Sequence, residues 1–109
     1  MKTVVIDGKA YPEVVDIGPI VLIRTENAGV HFGTLASHKG KDVVLNNARR
    51  LWSWQGACSL SQVAMDGVNL SGSKISVQVP KIILTEAIEI ISMSEEAGRS
   101  MMGAEAWKK

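Results

Sequence analysis

The sequence predicts an α+β fold, mainly an antiparallel β-sheet or small open barrel with one or two short helices. Three observations predict it. The apolar runs are short, rich in Val and Ile, and separated by Gly, Asn, Asp and Pro turn signals. Helix-start signals occur only twice, at Ser59-Leu60-Ser61-Gln62 and at Ser94-Glu95-Glu96. Hydrophobic residues make up 46 % of the chain but aromatics only 5 %, so Val, Ile and Leu carry the core and disorder is disfavoured. A chain of 109 residues makes one domain, 1–109, with a short C-terminal tail from about 103.

Each element has a local reason. Thr3-Val4-Val5-Ile6 is a short strand. Asp7-Gly8 is a hairpin turn, because both residues tolerate positive φ. Lys9 to Val15 returns as a second strand, which Pro12 pushes towards an edge or a bulge. After the Gly18-Pro19 break, Ile20-Val21-Leu22-Ile23-Arg24 has the composition of a buried strand. Asn27-Ala28-Gly29 turns the chain into a strand from Val30 to Ser37, and His38-Lys39-Gly40-Lys41 turns it back. The strand that begins at Asp42 runs on towards Trp54.

Then the pattern changes. Ser59 and Gln62 have capping-box spacing, and Gly67 ends a helix of about two turns. Asn69 to Ser73 is a loop. Ile75-Ser76-Val77-Gln78-Val79 alternates as a strand with one wet face, and Pro80 interrupts. Ile82 to Ile91 is a long apolar segment that fits a strand or a helix, and its β-branched content favours strand. Ser94 caps a second short helix with acids in its first turn, and Gly103 frees the tail.

The formal net charge of +1 argues against general nucleic-acid binding. The charge is uneven: bases dominate from His38 to Arg50 and acids from Lys81 to Arg99, a pattern that two solvated faces also produce. One cysteine excludes an internal disulfide and most zinc sites, and fits a reducing cytoplasm. No apolar run suits a signal peptide or a membrane span, so no membrane partner is expected.

Enzyme machinery is sparse. Cys58, His31 and His38 offer no local nucleophile–base pair, and a free cysteine is usually a small buried residue. No metal-ligand spacing occurs. Glu95-Glu96 and Glu86/Glu89 are better explained as helix-start electrostatics and polar strand positions than as catalytic dyads. No phosphate-loop motif is present, although Ser59 and Ser61 could help the first amides of their helix hold a phosphate; an ordinary cap is the simpler account. The expectation is no catalytic residue, no metal and no cofactor.

What remains is Asn46 to Gln62, which holds two arginines and two of the three tryptophans. On a strand, Arg50, Trp52 and Trp54 point to one side, and Arg49, Leu51 and Ser53 to the other, which Leu51 marks as core. Arg beside Trp suits a flat anion, by stacking and bidentate phosphate contact. It suits a subunit interface equally well, and either indole can simply fill the core. Ligand and interface are compatible in a site shared between subunits. Arg24, His31, Asn47, Ser59 and Ser61 are secondary candidate contacts, each also readable as an ordinary surface or satisfied polar residue.

Five segments resemble a family of small tailed-phage and prophage proteins: Val21 to Thr25, Ala28 to Gly33, Asn47 to Trp54, Gly56 to Gln62 and Ile82 to Ile91. The resemblance spans nearly the whole chain and names no reaction. Small phage proteins of this size include anti-CBASS sponges, often oligomeric, which bind cyclic nucleotide defence signals and withhold them from their effectors. No sponge residue transfers onto this chain. The resemblance, with the Arg–Trp cluster, implies a homo-oligomeric, cytoplasmic binding protein for a nucleotide-like ligand and not an enzyme; a phage structural or protein-interaction module is the alternative.

Overall fold

The computed structural model describes residues 3–6, 9–12 and 20–107. Strands β1 (Thr3–Ile6) and β2 (Lys9–Pro12) pair antiparallel as a two-stranded sheet. The expected turn at Asp7-Gly8, the end of the second strand beyond Pro12 and the Gly18-Pro19 break lie outside the described residues.

The main sheet is six-stranded and antiparallel. It contains β3 (Ile20–Thr25), β4 (Val30–Lys39), β5 (Asp42–Ser53), β6 (Lys74–Ile75), β7 (Val79–Leu84) and β8 (Ala87–Ser92). The order is β6-β5-β4-β3-β8, and β7 also pairs β5. Two short helices complete the fold, α1 (Leu60–Asp66) and α2 (Glu95–Met102).

Strands β7 and β8 follow one another in the chain yet attach to β5 and β3, on opposite sides of β4. The sheet therefore curls. Backbone hydrogen bonds from Ala87 to Lys41 and from Glu26 to Glu86 tie the β7–β8 corner to the two neighbouring turns.

The two faces hold separate apolar clusters. On one face Leu22, Phe32, Leu51 and Ile75 pack with Val63 and Ala64 of α1 and with Ala97 and Met101 of α2. On the other, Val21, Ile23, Val43, Leu45, Ala48, Leu84 and Ala87 pack within the curl of the sheet. Burying this much aliphatic surface supplies the main driving force for the fold.

A bulge lets β5 serve both clusters. Phe32 pairs with Arg49 and Thr34 with Asn46, so Gly33 faces two residues, Asn47 and Ala48. Asn47 takes the left-handed conformation, φ 52°, which asparagine tolerates better than most residues. Gly33 is required: a Cβ there would stand 2.9 Å from the Asn46 carbonyl oxygen and 3.0 Å from the Ala48 Cα. The extra residue reverses the alternation, so Val43, Leu45 and Ala48 share a face with Arg50, while Arg49 and Leu51 face the helices.

The helices follow their caps. Ser59 Oγ accepts from the Gln62 N–H, and Ser94 Oγ from the Ala97 N–H. Gln62 does not close the expected box on Ser59; its side chain accepts from the N–H of Cys58, one residue earlier. The 75–79 segment is not one strand. It breaks at 76–78, where the Ser76 carbonyl accepts from Arg49 and its hydroxyl from the Arg50 N–H. Ile82 to Ile91 is strand, divided between β7 and β8 at Thr85-Glu86. The loop at 69–73 contains a single 3-10 turn, Leu70–Gly72. No helix among the described residues is long and apolar enough to cross a bilayer.

Candidate functional site

The Arg50 guanidinium carbon lies 5.0 Å from the centroid of the Trp52 ring. Strand alternation on β5 aims both side chains away from the helices. Trp52 is 56 % exposed and Arg50 half-buried, so the pair is an open platform.

His31 stands directly across from Arg50 in the β4–β5 register, on the same face. It is buried, and its Nε2 lies 2.8 Å from the Ala28 carbonyl oxygen. A carbonyl only accepts, so Nε2 carries the proton and donates. Burial, above all, pushes the imidazole below its ordinary pKa; the Ala28 bond pulls it up, and the nearby Arg50 charge pushes it down again. His31 is thus held in its neutral form across the strand pair from Arg50.

Arg49 requires a correction as a ligand contact. Its side chain is buried on the helix face, and its Nε and Nη1 donate to the protein itself. Nε donates to the Ser76 carbonyl at 2.9 Å. Nη1 donates to the carbonyls of Met102 at 3.0 Å and Ala104 at 2.6 Å, with Met101 further off at 3.3 Å. These are carbonyls at the C-terminal end of α2, where a helix leaves its acceptors unsatisfied and a cation is stabilising. The tail beyond Gly103 is consequently not free: Arg49 holds Ala104, and the Trp107 N–H donates to the Ile75 carbonyl at 2.7 Å.

Trp54 also differs from expectation. Strand β5 stops at Ser53, so the alternation does not reach it. Its ring packs partly buried against the helix-side cluster. The other candidates scatter. Arg24 is exposed and pairs with Glu89 on the neighbouring strand. Asn47 is committed to the bulge, with its Oδ1 at 3.5 Å from Gln78 Nε2. Ser59 caps α1 and Ser61 lies exposed on it, a helix that packs on the opposite side of the sheet from Trp52. The structure brings together Arg50, Trp52 and His31, and leaves the rest apart.

The sequence reading missed one pair. Lys74 Nζ lies 5.0 Å from the centroid of the Trp107 ring. No local pattern signals it, because the two residues meet only when the tail folds back along β6. Among the described residues, no three of His, Cys, Asp and Glu come together as a metal ion would need.

A family model described as a domain of unknown function (DUF6948) matches residues 18–101. The chain belongs to the DUF6948 family. The matched span covers the six-stranded sheet, the Arg50–Trp52 platform and nearly all of α2. It leaves out β1, β2 and Trp107. Among curated proteins and solved structures, nothing matches the chain.

Proposed function

We propose that this DUF6948 protein binds a nucleotide-like anion, of the cyclic di- or oligonucleotide class, and sequesters it without hydrolysis. In this reading it is a homo-oligomeric phage protein acting in the host cytoplasm against a nucleotide defence signal. The observation that carries the binding is the Arg50 guanidinium set 5.0 Å over a tryptophan that remains more than half exposed. The open part of the indole can stack a base, worth about 1–3 kcal/mol, while the guanidinium offers a bidentate contact to phosphate. Neutral His31, across from Arg50, adds no repelling charge. Neither Arg49 nor Trp54 has a part in this site.

The test is calorimetry with cyclic dinucleotides. Arg50→Ala should weaken binding by about 1.5–3 kcal/mol, the range for a charge-assisted hydrogen bond. Trp52→Ala should lose a similar amount. Unchanged affinity in both variants rejects the site.

A second reading, a structural or interaction module, is favoured by a different observation. Ile83 (63 % exposed), Ile88 and Ile90 present aliphatic surface on β7 and β8, and β8 ends the strand order. An edge strand with exposed aliphatics is a template for association. Under this reading Ile88→Lys shifts the sedimenting species towards monomer, and Arg50→Ala changes nothing measurable in ligand binding.

A further inference from the structure

The second cation–aromatic pair lies one strand away from the first. The β5–β6 register pairs Leu51 with Ile75 and Ser53 with Lys74, with a bulge between Leu51 and Ser53 that sets Trp52 and Ser53 together against Lys74. Ile75 is part of the helix-side core, so Lys74, its neighbour on the strand, projects to the face that carries Arg50 and Trp52. Trp107 reaches Lys74 because two bonds steer the tail: Arg49 to the Ala104 carbonyl, and the Trp107 N–H to the Ile75 carbonyl. Both Lys74 and Trp107 are exposed. Backbones of paired strands lie about 4.8 Å apart, so side chains on β5 and β6 are within reach of one small molecule.

We infer that Lys74 and Trp107 form a second half-site for the same ligand. This rests on the reading of Arg50 and Trp52 as a nucleotide platform and adds to it. Each half-site has one indole to stack a flat ring and one cation to meet a phosphate. A mononucleotide fills one half. A ligand with two bases joined through phosphate fills both, and gains from the second contact without a second loss of translational freedom. The surface therefore selects dinucleotides over mononucleotides.

The experiment titrates cyclic di-AMP and AMP, with cyclic di-GMP and GMP in parallel, into the full chain. Binding is read by calorimetry and by quenching of tryptophan fluorescence. The wild type should hold the cyclic dinucleotide at least about tenfold tighter than the mononucleotide. Lys74→Ala and Trp107→Ala should erase that margin and leave mononucleotide affinity as it was. Trp107→Phe keeps a ring and should retain most of the margin, which separates loss of stacking from loss of fold. If Lys74→Ala and Trp107→Ala bind both ligands as the wild type does, while Arg50→Ala loses both, the second half-site is wrong and the single platform stands. If the wild type binds none of the four, both fall together.

Discussion

Replacing Arg49 with methionine separates a structural arginine from its neighbour, because Arg49 and Arg50 are chemically identical and differ only in the face they occupy. Methionine keeps the apolar stem of Arg49 and removes the guanidinium with its charge and donors. Four carbonyls then lose a donor: Ser76, Met101, Met102 and Ala104. A hydrogen bond to a charged group contributes about 1.5–3 kcal/mol, and these share one guanidinium, so their effects do not add. The carbonyls at the end of α2 also lose a cation worth up to ~2 kcal/mol in a partly buried setting. Burial of Arg49, which lowers its pKa, offsets part of this. A net loss of about 3–4 kcal/mol is expected, a large share of the roughly 5–15 kcal/mol that holds a domain folded. Urea denaturation followed by tryptophan fluorescence measures it. The midpoint temperature should fall by roughly 10–20 °C. Arg49→Lys should recover part of the loss, since an ammonium reaches fewer acceptors in fixed geometry. Arg50→Ala, on the exposed platform, should cost under about 1 kcal/mol. If Arg49→Met is no more destabilising than Arg50→Ala, the assignment of Arg49 to the helix end is refuted.

Other outcomes follow from the same geometry. Gly33→Ala should destabilise the domain by about 1–3 kcal/mol in the same urea assay, because the added Cβ has no room against the bulge. Asn47→Gly should be nearly neutral and Asn47→Val clearly worse, as a left-handed φ demands; equal stabilities would show that the bulge places no such demand on residue 47. His31 gives a pH dependence of definite sign. Its folded pKa lies below the unfolded value of 6.5, so the unfolded chain takes up the proton first as pH falls. Its contribution to stability is intact above about pH 6.5 and is lost progressively below it, until the folded pKa is passed. Urea melts at pH 7.5 and 5.0 should show a drop that His31→Gln reduces; an equal drop in both proteins excludes His31 as the cause.

The strands were legible because their signals are local. Ile20 to Arg24, Val30 to Ser37 and the run from Asp42 are β-branched or apolar stretches bounded by Asn, Gly and Lys turns, and each became a strand of the sheet. Both helices began where Ser59 and Ser94 announced a cap. What stayed hidden depends on residues distant in sequence. The break at 76–78 exists because Ser76 is bonded by Arg49 and Arg50 from the neighbouring strand. The alternation of Ile75 to Val79 contains no trace of that demand. Alternation sets Trp54 beside Trp52 only if the strand continues past Ser53, where β5 ends. Trp107 could not be linked to Lys74 from sequence, since the link runs through the folded tail.

The bulge at Asn47 explains why the candidate site was half-legible. Between Arg49 and Trp52 simple alternation holds, and it sorts Arg50 and Trp52 from Arg49 and Leu51 correctly; a second irregularity against β6 follows before Ser53. Across Asn47 the same rule fails, because one extra residue shifts the parity of everything upstream. Without it, Val43 and Leu45 would share a face with Arg49 and Leu51, and one of the two apolar clusters would lose its contribution from β5. With it, a single strand of 12 residues lines the inner curl of the sheet with its first half and anchors the helices with its second. Arg50 and Trp52 fall on the curl side just beyond its apolar filling, where the same face becomes open to solvent. A platform there costs the core nothing, and the histidine across from its cation stays neutral because it is buried.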